Sequence, residues 1–171
     1  MALTVETGSG LAAADTYVTL TAADTYFAAR DAPAAWTALS NALKESALKY
    51  ATEWLDGHYA WEGGVKSLVN PAQALGWPRV NAYDLESRLI EVDAVPERIE
   101  RATCEVALAH ANTALNTVQE RGGAVRKEGV GPLQVEYFDW ASAEPAMPHI
   151  GRLLRGYGRS RSSAIVDIER G

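Results

Sequence analysis

The stretch from Val95 to Arg121 constrains the fold most, because it holds the longest uninterrupted helical pattern in the chain. Pro96 stands in the first turn, where a helix tolerates proline, and the pair Gly122 and Gly123 ends the pattern. Apolar residues recur at helical spacing on one stripe and also cover much of the remaining surface. A helix this apolar needs neighbours on several sides. We therefore expect a helical core around it, with other subunits supplying some of the neighbours.

Length and charge narrow the class of protein. With 171 residues, one domain with one core is the default. The net charge of -6 argues against a general nucleic-acid binder, whose affinity comes largely from Lys and Arg on phosphates. The single cysteine, Cys104, is expected to be a small buried apolar residue. The pattern of a leader peptide or a membrane span is not seen, so we expect synthesis in the cytoplasm and no membrane contact.

Two helical segments are predicted ahead of the long helix. A β-like run at 15–20 leads into a helix from Ala22 to Arg30, for which Thr21 is the expected N-cap. A second helical pattern covers residues 34–60 and divides into two parts around Ser40. The first should bury Tyr26 and Phe27, and the second, from Ala34 to Tyr59, should form the core together with the long helix.

The stretch 62–93 is predicted to be mostly irregular. It contains one expected helical turn at 71–75, and Pro78 should hold Trp77 in an extended conformation. Four tryptophans on apolar helix faces or at helix exits are expected to pack in the core. These are Trp36, Trp54, Trp61 and Trp77.

The chain beyond the long helix should protrude. Alternating apolar and polar residues at 124–137 predict a β-hairpin, and 148–154 reads as a short helix followed by a Gly-, Ser- and Arg-rich tail. The predicted fold class is mainly α, a small helical bundle with a protruding β-hairpin and an extended C-terminal tail. We divide the chain into a helical core (1–121), an extended arm (122–145) and a short helix with its tail (146–171). The apolar residues of the arm and tail have little of their own domain left to pack on.

Motifs for catalysis are not found, so we expect no enzyme activity and no cofactor. The acidic and histidine side chains of Glu53, Asp56 and His58 could imitate a metal cluster, but a solvated helix end is the better interpretation. Asp15 and Asp24 are interpreted as turn and capping residues.

The basic residues of the tail allow three interpretations. Four arginines fall within ten residues: Arg152, Arg155, Arg159 and Arg161. Such a cluster can contact phosphates, can bind an acidic protein surface, or can simply be solvated. Among the aromatic residues only Tyr157 lies between these arginines, which weakens a stacking platform for single strands.

Several motifs, in order along nearly the whole chain, resemble one family of tailed-phage proteins. They are Gly8–Leu20, Tyr59-x-Trp61-x-Gly63, Gln73-Ala-Leu-x-Trp77-Pro78-Arg79, Val95-Pro96-x-x-Ile99 and Glu128-x-Val130-Gly131-Pro132-Leu133-x-Val135-x-Tyr137. The family is similar to the head–tail connectors, the adaptor or head-completion proteins of long-tailed phages. It is also labelled a DnaT-like single-stranded DNA-binding protein.

The resemblance to adaptors implies a structural virion protein, present in the host cytoplasm before assembly. It would form a homo-oligomeric ring, commonly of twelve subunits, beneath the portal protein. DNA would pass through the ring channel without sequence-specific binding, and the tail, a stopper or a tail-terminator protein would dock on the ring.

Two groups of residues are assigned to this assembly as hypotheses. The expected portal-docking residues are Arg152, Arg155, Arg159, Arg161, Ile165, Val166 and Ile168. The arm that would reach neighbouring subunits or the tail side holds Val130, Leu133, Val135, Tyr137 and Trp140. The alternative function is a single-stranded DNA-binding replication accessory protein, which would need a basic groove that is not recognisable in the sequence.

Overall fold

The computed structural model describes residues 3–67, 72–112, 127–130, 133–136 and 147–161. The described helices are α1 (Leu20–Ala28), α2 (Ala34–Thr37), α3 (Asn41–His58), α4 (Glu97–Asn112) and α5 (Pro148–Leu153). The described strands are β1 (Tyr59–Trp61), β2 (Gly64–Val65), β3 (Arg79–Val80), β4 (Lys127–Val130), β5 (Leu133–Glu136) and β6 (Gly158–Ser160). The prediction of a mainly helical fold with a β-hairpin is confirmed.

The centre of the fold is the packing of α3 against α4. α4 begins at Glu97 and buries Ile99, Ala102 and Val106 along one stripe, as its apolar spacing predicted. Cys104 is buried on the same helix, which confirms its role as an apolar residue, and burial raises the pKa of its thiol to about 12. The predicted continuation of this helix to Arg121 lies outside the described residues.

The second helical pattern is divided at Ser40, as predicted. Ser40 has an extended backbone, and its hydroxyl accepts a hydrogen bond from the N–H of Leu43 at 3.4 Å. α2 therefore ends before it and α3 starts after it, because a serine N-cap satisfies a free N–H of the first turn.

The N-cap of α1 is Thr19, and the prediction of Thr21 is wrong by two residues. The Thr19 hydroxyl accepts from the N–H of Ala22 at 3.0 Å, whereas Thr21 already lies inside the helix. The β-like run at 15–20 is likewise not a strand. It makes only an isolated parallel bridge from Thr16 to Val5, and its apolar residues are buried by tertiary packing instead.

The stretch 62–93 is mostly irregular, as predicted, but it contains the antiparallel pair β2 and β3. The helical turn expected at 71–75 is not formed over residues 72–75. The N–H of Ala74 donates to the carbonyl of Leu11 at 2.9 Å, and the Gln73 amide donates to the carbonyls of Leu75 and Pro78. These tertiary bonds replace the local bonds that a helical turn would make.

The C-terminal part of the described chain folds back on its own core. β6 pairs antiparallel with β1, and Ile150 and Leu154 of the α5 region are fully buried in the main apolar cluster. The expectation that the tail lacks partners in its own domain is therefore wrong for residues 156–161, the part of the tail that the structure describes. The reason is that α5 packs on α4, which carries free apolar surface after α3 has covered one side.

The arm contains the predicted hairpin. Its strands β4 and β5 pair in antiparallel register, with Lys127 opposite Glu136 at one end and Val130 opposite Leu133 at the other. Within the parts of the chain that the structure describes, no helix is long and apolar enough to cross a membrane.

Candidate functional site

An arginine-rich cleft of about 410 Å³ lies where the end of α1, the first half of α4 and α5 meet. Its lining residues are Arg30, Arg98, Arg101, Glu105, His149, Arg152 and Leu153. We call these residues the arginine cleft. Sites for small ligands usually have volumes of about 300–1,000 Å³, so there is room for a group of the size of one nucleotide.

α4 supplies three of the lining residues from one face. Arg98, Arg101 and Glu105 are spaced by three and four residues, which places them in a row on a helix. A neighbouring stripe of the same helix, with Ile99 and Val106, is fully buried against the core. The core packing of α4 therefore fixes the direction in which these charges face.

α5 supplies the other wall of the cleft. It starts at Pro148, which is favourable in the first turn of a helix, and it places His149 and Arg152 one turn apart. Buried Ile150 and Leu154 attach α5 to the core. The backbone positions of His149 and Arg152 are thus held by packing, although both side chains are exposed.

A fixed set of three polar side chains forms one edge of the cleft. The Tyr26 hydroxyl donates to Oε1 of Glu105 at 2.6 Å, and Nη1 of Arg30 donates to the Tyr26 oxygen at 2.6 Å. Nη2 of Arg30 lies 3.6 Å from the same carboxylate oxygen, and its guanidinium lies over the Tyr26 ring. Burial and the hydrogen bond to Glu105 raise the pKa of Tyr26, so its hydroxyl remains a proton donor.

The four arginines differ in how far their charge is neutralised. Arg30 has Glu105, and Arg101 has Glu97 at 2.5 Å on the preceding turn. Neither Arg98 nor Arg152 has a carboxylate partner within the described ranges. Two unpaired guanidinium groups therefore face one cleft, which is the arrangement that binds phosphate or carboxylate oxygens.

The structure separates the four tail arginines that the sequence grouped together. Arg152 lies in the cleft, whereas Arg155, Arg159 and Arg161 do not line it. Arg159 lies 3.4 Å from the carboxylate of Glu62 across the β1–β6 pair. The other proposed portal-docking residues, Ile165, Val166 and Ile168, lie outside the described residues.

For the proposed arm, the structure shows only backbone pairing. Val130 lies in β4, and Leu133 and Val135 lie in β5. Tyr137 and Trp140 lie outside the described residues. Their assignment to subunit or tail contacts therefore stays a prediction.

Most residues of the arginine cleft were not predicted from the sequence as site residues. Arg30, Arg98, Arg101 and His149 were not recognised as parts of a site, although the spacing of Arg98 and Arg101 already placed them on one helix face. That signal was available, but the approach of Arg30 and α5 to this face depends on tertiary packing.

The acidic group near the end of α3 has a structural role. Asp56 accepts hydrogen bonds from the Tyr17 hydroxyl at 2.6 Å, the Trp61 indole N–H at 2.8 Å and the Gly76 N–H at 2.8 Å. We call this arrangement the Asp56 cluster. Glu53 is exposed. In the described ranges, no group of three His, Cys, Asp or Glu side chains is placed to hold a metal ion.

The two aspartates that were interpreted as turn and capping residues instead make tertiary contacts. Asp24 accepts from the Trp36 indole N–H and from Lys44, both at 2.8 Å. Asp15 accepts from the N–H of Thr4 and lies 3.0 Å from Lys49. The prediction that the tryptophans pack in the core is confirmed for Trp36 and Trp77, which are buried, while Trp54 and Trp61 are partly buried against it.

Comparison with known families gives a match that extends over the whole chain. No curated protein and no solved structure was found to match the chain. The description of the matching family names single-stranded DNA binding, which was the alternative function expected from the sequence. It gives no support to a head–tail connector role. By this match over residues 1–171, the chain belongs to the family described as "Putative DnaT-like ssDNA binding protein".

Proposed function

We propose that this protein binds single-stranded DNA by holding a backbone phosphate in the arginine cleft. The observation that carries the proposal is the pair of unpaired guanidinium groups of Arg98 and Arg152 on facing walls of one cleft. The family description supports the same ligand class. Guanidinium groups suit this task because their N–H donors match the geometry of phosphate oxygens.

The cleft favours local and modest binding over a long contact track. Its volume is about 410 Å³, and the described lining residues include no Trp, Tyr or Phe, the large aromatic side chains on which bases stack best. The net charge of -6 repels a polyanion at a distance. We therefore expect little dependence on base sequence and a dissociation constant in the range of about 10⁻⁶ to 10⁻⁴ M.

Fluorescence anisotropy with a labelled oligonucleotide of about ten nucleotides tests the proposal. If two cations contact phosphate, the logarithm of the binding constant should fall with the logarithm of salt concentration with a slope of about -1.4. A duplex of the same sequence serves as the comparison and should bind more weakly. The duplex is stiff, so its backbone cannot bend locally to place one phosphate inside the cleft. Absence of binding at about 50 mM salt would refute the proposal.

A second candidate function is the head–tail adaptor, and one surface feature favours it. The loop at 81–93 exposes four large apolar side chains, each between 39% and 60% accessible: Tyr83, Leu85, Leu89 and Val92. Exposed apolar residues close together mark protein–protein contacts more often than isolated ones do. A ring of copies beneath a portal would cover such a surface.

Replacing Leu85 and Leu89 together by glutamate tests this candidate. The double variant should fail to cosediment with a co-expressed portal protein, while the unchanged chain cosediments as a ring. A deletion test of the tail should begin after Arg161, because β6 belongs to the fold of the domain. If the unchanged chain stays a monomer in the presence of portal rings, the adaptor function is excluded.

A further inference from the structure

We propose that Glu105 is a resident competitor for phosphate in the arginine cleft, and that it sets how many arginines can contact the bound strand. This inference rests on the proposed binding of single-stranded DNA and concerns the regulation of the same cleft. In the protein without ligand, the Glu105 carboxylate lies 3.6 Å from the Arg30 guanidinium, where a phosphate would otherwise bind. Only Arg98 and Arg152 are then available to a phosphate.

The position of Glu105 inside the cleft supports this role. Its side chain is only 16% exposed and is held by the Tyr26 hydroxyl, so the carboxylate cannot swing freely into solvent. The Arg30 side chain is 57% exposed and could reach a ligand if the carboxylate did not attract it. A fixed negative charge in a cleft for phosphate opposes binding, and partial burial strengthens this effect because water screens it less.

The remaining ion pair of the cleft differs from this one. Glu97 holds Arg101 at the surface, where the carboxylate is 71% exposed and does not line the cleft. An exposed pair of this kind contributes little and can open at small cost. The half-buried pair at Arg30 is therefore the one that limits the site.

The isosteric change Glu105→Gln tests the inference, because glutamine removes the charge and can still accept the Tyr26 hydrogen bond through its carbonyl oxygen. We expect the oligonucleotide to bind about tenfold more tightly at low salt. With Arg30 as a third contact, the slope against the logarithm of salt concentration should steepen from about -1.4 to about -2.1. A role of Glu105 in folding alone would not change this slope.

Glu53→Gln is the matched control for the change in net charge. Glu53 is an exposed carboxylate on α3 that does not line the cleft, and its replacement alters the total charge by the same amount. It should leave both affinity and slope unchanged. Equal gains in the two variants would mean that total charge matters and that Glu105 has no special role.

A second measurement separates failure of this inference from failure of the proposed function. Inorganic phosphate is titrated into the protein while the side-chain N–H signals of arginine are followed by NMR. In the unchanged chain the signals of Arg98 and Arg152 should shift, and in Glu105→Gln the signal of Arg30 should shift as well. If phosphate produces this pattern but no oligonucleotide binds, the competitor role holds and DNA binding is refuted. If the oligonucleotide binds equally to both forms, DNA binding holds and the competitor role is refuted.

Discussion

Replacing both Arg98 and Arg152 by alanine is expected to abolish most of the binding of single-stranded DNA. Each unpaired guanidinium should contribute charge-assisted hydrogen bonds to phosphate, and each loss should weaken binding about tenfold. The double variant should therefore bind about a hundredfold more weakly, and its slope against salt concentration should approach zero. Anisotropy titrations over the same salt series measure both quantities. The fold should be unaffected, because both side chains are exposed and make no bond to other described residues.

The control for this experiment is the double variant Arg155→Ala with Arg159→Ala. It removes the same amount of charge, from the C-terminal segment that also contains Arg152, but neither residue lines the cleft. We expect a change of less than about threefold, which is the effect of distant charges screened by salt. If this control loses as much affinity as the cleft variant, binding depends on the basic tail as a whole and the cleft is the wrong site.

Replacing Asp56 by alanine is expected to cause the largest loss of stability. The Asp56 carboxylate accepts from the Tyr17 hydroxyl, the Trp61 indole and the Gly76 N–H. Without it, three donors lose their partner in a partly or fully buried setting, and each such loss costs about 1–3 kcal/mol. We expect the free energy of unfolding to fall by about 3–5 kcal/mol, as measured by urea denaturation followed by tryptophan fluorescence.

Glu53→Ala serves as the control for the Asp56 variant. It removes a carboxylate from the same helix one turn earlier, but Glu53 is exposed. Its effect on the free energy of unfolding should stay within about 0.5 kcal/mol. Similar losses in both variants would show that helix charge, and not the Asp56 cluster, determines the stability of this region.

Local signals in the sequence were sufficient for the elements that depend on local chemistry. The break in the second helical pattern was predicted correctly at Ser40, the N-cap of α3. The β4–β5 hairpin was predicted correctly from the alternation of apolar and polar residues. The helical turn expected at 71–75 is not formed over residues 72–75. The N–H of Ala74 donates to the distant carbonyl of Leu11 and not to a carbonyl of its own turn. Local patterns cannot show that a distant carbonyl is available.

The cleft was not predictable for a related reason. Arg30, Arg98 and Arg152 are far apart in the chain and meet only because α5 packs on α4 next to the end of α1. The sequence instead suggested a site at four arginines that are close together along the tail, and of these only Arg152 lines the cleft. Proximity along the chain was therefore a poor guide to proximity in the fold.

Mapping where a single-stranded oligonucleotide contacts the protein tests the central claim most directly. NMR signals of the backbone and of the arginine side chains are compared before and after the oligonucleotide is added. If the strand binds in the arginine cleft, the largest shifts should fall on Arg98, His149 and Arg152, with small shifts on the loop at 81–93. Shifts concentrated on that loop or on Arg155 and Arg159, with the cleft unchanged, would contradict it.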